Sequence, residues 1–209
     1  QRDALQRAEW IACCERARRG RDQRVHLRSR HTCHSHLAVR VANTTASQQT
    51  ITPKEKLVVD ILHRVGIKSS ADQVYKALAT RDGLAGWWTT NTQGETKVGG
   101  KIRFRFSRAD GSEAGGFDMK VLDLERAKRV HWEVVEGPAE WLGTDISFEL
   151  KQKGEYCIVL FKHHGWKEPV EFMHACSTKW GVFLVSLKSL VETGKGHPSP
   201  RDVKIGDWN

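Results

Sequence analysis

His63, His131, His163, His164 and His174 stand among aspartates and glutamates, and a histidine beside a carboxylate is suited to moving protons near neutral pH. A nucleophilic triad would also need a Ser or Cys on a strained turn, and no G-x-S-x-G occurs. His131 lies between Val130 and Trp132, so alternation places it on the opposite sheet face from both. His163 shares the parity of Cys157, Val159 and Phe161 and points inward. There it could orient a ligand or transfer a proton; the plainer reading is a satisfied histidine at a strand end. Glu149 and Tyr156 are its nearest candidate partners for hydrolase- or cyclase-like chemistry, but Glu149 falls on the face opposite Phe148. Two further motifs fail on spacing. Gly94-Glu-Thr-Lys-Val-Gly-Gly-Lys101 lacks the glycine spacing of a phosphate loop, and Ile102 stands where a Ser or Thr would hold magnesium. Gly99-Gly100 is better read as a tight turn. His31-Thr-Cys-His-Ser-His36 with Cys13-Cys14 offers zinc-type ligands, but one cluster is crowded and the other is a vicinal pair. No metal or cofactor is expected.

Cysteine usage points the same way. The five cysteines form no C-x-x-C pair, and Cys157 and Cys176 read as small buried thiols in a reducing, cytoplasmic setting. No apolar run approaches the ~20 residues of a membrane span.

Such side chains need elements to hold them, and from residue 55 onward those are legible. Lys101-Ile-Arg-Phe-Arg-Phe106 and Thr144-Asp-Ile-Ser-Phe-Glu-Leu150 alternate with period two, as half-buried strands do. Strands are expected at residues 57–67, 101–107, 115–124, 128–135, 143–151 and 155–163, joined by turns at Asp110-Gly111, Gly137-Pro138 and Lys153-Gly154. After the first strand, Ser69 or Ser70 caps a helix that turns Val74, Ala77 and Leu78 inward. A second short helix beginning at Asp82-Gly83 delivers Trp87 and Trp88. Val170–Glu192 carries Phe172, Cys176, Trp180, Phe183, Leu187 and Leu190 at spacings of three and four, one apolar stripe of a long helix. Gly194 and Gly196 end it, and Pro198 and Pro200 prevent its restart. The order is β-α-α, an antiparallel meander, then α: an α+β plan rather than βαβ repeats.

The net charge of +9 divides unevenly. Residues 1–50 hold ten arginines, no lysine and four acids, whereas residues 51–209 balance 24 basic against 21 acidic side chains. The first 50 residues therefore read as a basic extension set apart from the body. Three readings stand for it: a disordered or weakly helical leader, translated from upstream of the true start; an organelle presequence; or an arm for nucleic acid or anionic lipid. Residues 51–200 are one domain and 201–209 a C-terminal tail. No specific nucleic-acid site is expected in the body.

In that order, Ser70-Ala-Asp-Gln-Val-Tyr-Lys-Ala-Leu78, Gly86-Trp-Trp88, Val98-Gly-Gly-Lys-Ile-Arg-Phe104, Arg129-Val-His-Trp132, Thr144–Leu150 and His163-His-Gly-Trp166 resemble the START-like superfamily. The helix Trp180–Leu190, followed by Glu192-Thr-Gly-Lys-Gly196, completes the likeness. That superfamily is also called SRPBCC or birch-pollen-allergen-like. Within it the chain is most similar to homologues of the activator of the ninety-kilodalton heat-shock chaperone ATPase. The resemblance implies a helix-grip fold, a curved antiparallel sheet wrapped around the long C-terminal helix. It leaves several functions open, because one fold hosts many: lipid- or polyketide-like binding and transport, cyclase or aromatase chemistry, and stress-related partnership with a chaperone, as monomer or homodimer.

A sheet gripping one helix leaves space between them, and a small hydrophobic or aromatic ligand is the expected occupant. Alternation selects Phe104, Phe106, Phe117, Met119, Trp132, Phe148, Phe161 and His163 as the sheet side of its lining. Phe172, Cys176, Trp180 and Phe183 face them from the helix, with Trp87 and Trp88 at the open end.

Overall fold

The computed structural model describes residues 59–108 and 110–206. The basic extension, its cysteine and histidine cluster and the last three residues lie outside the described residues. Seven strands and three helices follow in the order β1 (Val59–Ile67), α1 (Ala71–Ala79), α2 (Arg81–Trp87), β2 (Asn91–Gly94), β3 (Lys101–Ser107), β4 (Glu113–Glu125), β5 (Arg129–Glu136), β6 (Asp145–Lys153), β7 (Tyr156–Trp166) and α3 (Glu171–Thr193). The strands form one antiparallel sheet in the order β1-β7-β6-β5-β4-β3-β2. This is the α+β helix-grip plan.

Local chemistry explains the boundaries. Ser70 caps α1 by accepting from the Gln73 amide, with Asp72 in the first turn. Thr80 closes α1 and opens α2, its hydroxyl oxygen accepting from the Gly83 amide at 3.1 Å. A side chain at residue 83 would press on the Ala77 backbone at 2.6 Å, so only glycine lets the two helices meet this closely. Gly194 ends α3 in the left-handed region at φ 76°.

The expected strands are present, and β2 is an addition. Its Asn-Thr-Gln-Gly sequence has no apolar alternation, because it is an edge strand paired to β3 alone with Thr92 as its one buried residue. Along β4 the consecutive residues Phe117, Asp118 and Met119 are all buried although alternation holds; the bulge at this step is on the partner, where β5 carries Val135 as an extra residue between Val134 and Glu136. The Asp118 carboxylate turns outward and is covered by Arg105 at 2.7 Å.

The core lies between the concave sheet face and the helices. Inward side chains align across strands: Val130, Phe148 and Phe161 are mutual neighbours over β5, β6 and β7, as are Trp132, Ile146 and His163. On α3 the buried residues are Met173, Cys176, Trp180, Phe183, Leu184, Ser186 and Leu187. The inward face is thus turned slightly from the expected stripe, with Phe172 and Leu190 at its margins. Among the described residues, no helix is long and apolar enough to cross a membrane.

Candidate functional site

A cavity of about 250 Å³ opens at one end of the sheet–helix interface. Its walls come from α3 (Phe172, Ala175, Cys176, Lys179, Trp180 and Phe183), from the β3–β4 hairpin (Phe106, Ser107, Arg108, Ala114 and Phe117), and from Trp88 and Trp141. Ser199, Asp202, Lys204 and Ile205, which follow α3, complete the rim.

Trp88 stands at the centre of the aromatic wall. Its ring centroid lies 4.3 Å from Phe104, 4.8 Å from Trp180 and 5.3 Å from Phe117. Trp141, in the loop 137–144, stacks on Trp180 at 6.1 Å and tilts against Phe117 at 4.8 Å. Among the described residues no acceptor meets the buried indole N–H groups of Trp141 and Trp166, whose rings are packed among other aromatic side chains.

Of the side chains selected from the sequence, Trp88, Phe106, Phe117, Phe172, Cys176, Trp180 and Phe183 border this space. Trp87, Phe104, Met119, Trp132, Phe148, Phe161 and His163 do not; they belong to the close-packed interior. The physical reason is that α1 and α2 plug the far half of the sheet–helix gap. Trp87 stacks on Trp88 at 5.5 Å and meets Phe148 edge-on at 6.2 Å, while its indole N–H donates to the Ala77 carbonyl at 3.1 Å. Trp132 likewise packs edge-on against Phe148 at 5.3 Å. Inward parity identifies what faces the helices; it does not tell a filled layer from an empty one.

Trp141 is the aromatic wall residue that pattern reasoning missed; Ser107, Arg108, Ala114, Ala175 and Lys179 were not selected either. Trp141 follows the turn at Gly137-Pro138, outside any periodic segment, and its one signal is the apolar pair Trp141-Leu142 in a short loop between strands. The loop is pinned by its own hydrogen bonds, with the Trp141 amide donating to Pro138 O and the Gly143 amide to Val134 O.

His163 is fully buried. The Trp180 indole N–H can only donate, so Nδ1, 3.3 Å away, is the acceptor. The neutral ring then carries its proton on Nε2 and donates to Thr144 Oγ1 at 2.8 Å, and that hydroxyl donates to the Trp141 carbonyl at 2.6 Å. Burial pushes the imidazole down to about 3, against a small upward pull from Asp60. Both nitrogens are in use. Neither suggested partner is near it in kind: Glu149 is exposed on β6, and Tyr156 is exposed at the far end of β7. Cys157 and Cys176 are both buried, as read, and burial raises the Cys157 thiol.

The rim is charged. Lys179 Nζ lies 2.5 Å from Asp202 and donates to the Val203 carbonyl at 2.9 Å, while Lys204 reaches the other Asp202 oxygen at 3.3 Å. Burial lowers the Lys179 ammonium, with Asp202 pulling it back up. No group of His, Cys, Asp and Glu able to hold a metal ion occurs among the described residues.

Residues 68–192 match the family described as Activator of Hsp90 ATPase homolog 1-like protein. The chain belongs to that family. Its place in the START-like superfamily follows from the same match and the helix-grip fold. Among solved structures it is similar to the Aha1 dimer from Colwellia psychrerythraea, with 44% identity, a TM-score of 0.59, and coverage of 66% of this chain and 99% of that one. More distant likenesses show the fold alone. CalU16 from Micromonospora echinospora is 17% identical, with a TM-score of 0.53 over 68% of this chain and 78% of the other. DynU16, from the dynemicin biosynthetic locus, is 19% identical, with a TM-score of 0.53; the match spans 66% of this chain and about half, 48%, of DynU16. No curated protein matches the sequence.

Proposed function

We propose that this family member reversibly binds a small apolar or aromatic molecule in the cavity at the open end of the sheet–helix interface. The observation that carries the reading is an aromatic-walled space of about 250 Å³ reaching the surface in an otherwise close-packed core. Trp88 and Trp141 would contact the ligand from one wall and Phe172, Cys176, Trp180 and Phe183, all on α3, from another. The state of His163 favours binding over catalysis, since its nitrogens are committed to Trp180 and Thr144 and the ring stays neutral above about pH 3. No cofactor enters the reading, and its setting is cytoplasmic.

Mass spectrometry of small molecules released from purified full-length protein tests it directly. A bound molecule should also change tryptophan emission saturably and raise stability by about 2.7 kcal/mol at a hundredfold excess over Kd. If a broad panel of lipids, aromatics and polyketide-like compounds gives neither signal, the binding reading fails.

Family membership favours a second reading, regulation of a chaperone ATPase, by this chain as a monomer or, like the Colwellia protein, as a dimer. It predicts that the chain is retained on the chaperone and changes its ATP turnover. An unchanged rate at saturating protein would exclude it.

A further inference from the structure

We infer that the Ser199 hydroxyl is the polar anchor of the cavity, and that the ligand is an aromatic molecule bearing an uncharged hydroxyl or carbonyl group. This rests on the binding reading above and narrows its ligand class.

An unused hydrogen-bonding group carries the inference. Five hydroxyl side chains are buried among the described residues: Thr89, Thr92, Thr144, Ser186 and Ser199. Four of them donate to a backbone carbonyl. Thr89 reaches Arg105 O at 2.6 Å, Thr92 reaches Thr89 O at 2.7 Å, Thr144 reaches Trp141 O at 2.6 Å, and Ser186 reaches Trp87 O at 2.8 Å. The Ser199 hydroxyl has no hydrogen-bond partner among the described residues. Nor is its oxygen sealed in protein, as the unpartnered Glu140 Oε2 and the indole nitrogens of Trp141 and Trp166 are.

Position gives that group its use. The Ser199 amide donates to the Trp88 carbonyl at 2.9 Å, and its own carbonyl accepts from the Thr90 amide at 3.2 Å, so the backbone is fixed beside the centre of the aromatic wall. Ser199 is 4% exposed and borders the cavity, which is the space left for its hydroxyl to face. A buried hydroxyl without a partner is costly, and native interiors keep few of them. Here the polar group of a ligand can supply the partner. A hydroxyl donates one hydrogen bond and accepts two, which suits a phenol, an alcohol or a ketone. The other buried polar side chain on the cavity, Asp202, is already held by Lys179 and Lys204.

Three uncharged ligands with the same ring system separate this inference from the reading beneath it: naphthalene, naphthol and acetylnaphthalene. In equilibrium dialysis, full-length protein should bind all three. Ser199→Ala, which removes a single oxygen, should weaken naphthol and acetylnaphthalene about fivefold and leave naphthalene unchanged. Ala175→Trp, which fills the cavity from its wall, should abolish binding of all three.

If Ser199→Ala weakens the three ligands alike, or weakens none, the anchor inference is overturned while the cavity reading stands. Naphthol binding that survives Ala175→Trp places its site elsewhere on the chain and also overturns it. If none of the three binds, both the inference and the reading it rests on fall.

Discussion

His163 joins three parts of the molecule through its two nitrogens: Trp180 on α3 at Nδ1, and Thr144 at Nε2, which passes the link on to Trp141 in the loop 137–144. The ring is a structural pin for two cavity-wall tryptophans, and its titration should show in stability. Its folded value of about 3 lies below the ordinary 6.5, so between these values the unfolded chain takes up a proton that the folded chain refuses. The contribution is therefore complete above pH 6.5 and drains away as pH falls, by about 1.4 kcal/mol per pH unit. His163→Gln keeps a donor and an acceptor but cannot titrate. In urea unfolding, the stability lost between pH 6.5 and pH 4.5 should be smaller in this variant by about 2 to 3 kcal/mol. Equal losses in the two proteins would show that His163 is not the acid-sensitive group. Thr144→Val tests the other end of the chain: it strands a buried N–H and should cost about 1–3 kcal/mol at neutral pH. Parity in β7 already turned His163 inward. Its role was invisible, because Thr144 and Trp180 come from separate segments that only the fold brings to it.

Helices α1 and α2 decide where the cavity can be, since they occupy the rest of the space under the sheet. Thr80 is their shared hinge, closing one and capping the other. Thr80→Ala should cost about 1 kcal/mol in unfolding free energy, while Ser→Ala changes on the outer sheet surface should lie within about 0.5 kcal/mol. The cavity itself predicts a contrast between two bulky substitutions. Ala175→Trp has empty space to fill and should leave the unfolding midpoint nearly unchanged. Val159→Trp would enter a fully buried row of β7 and should cost about 1–3 kcal/mol through overpacking. Similar losses from both would mean the cavity is not open to a side chain at Ala175. The strands and long helix were legible from their periods. Strand β2 and the Trp141 loop were not, because an exposed edge and an aperiodic loop carry no repeating apolar signal.

For the whole molecule, the family match lies within residues 68–192, and the buried apolar cluster among the described residues runs from Ile61 to Leu187. Removing residues 1–50 should accordingly shift the thermal midpoint by less than about 3 °C, since ~1 kcal/mol moves a domain of this size by roughly 2–4 °C. A larger loss would show that the extension packs on the body. Any affinity for nucleic acid or anionic lipid should go with the ten arginines, fall steeply with salt and disappear on truncation. Salt-resistant binding by residues 51–209 would instead locate that affinity on the folded body. The residues after α3 are part of the cavity: Asp202, Lys204 and Ile205 stand in its rim.

What the sequence determined by itself was the set of elements, their order and the faces they bury, because periods of 2 and 3.6 are local consequences of backbone geometry. The ordered motifs were enough to place the chain in its family. Tertiary structure decided which part of the buried interface stays empty. Trp87 and Trp88 are adjacent in sequence and both fully buried, yet only Trp88 borders the cavity. Phe104 and Phe106 share one strand face, and only Phe106 reaches it. That difference is set by how far α1 and α2 extend beneath the sheet, where the loop 137–144 drops Trp141, and how the segment after α3 folds back with Asp202. Each is a long-range packing outcome, and a cavity is defined by the atoms that fail to fill it, which no local pattern records.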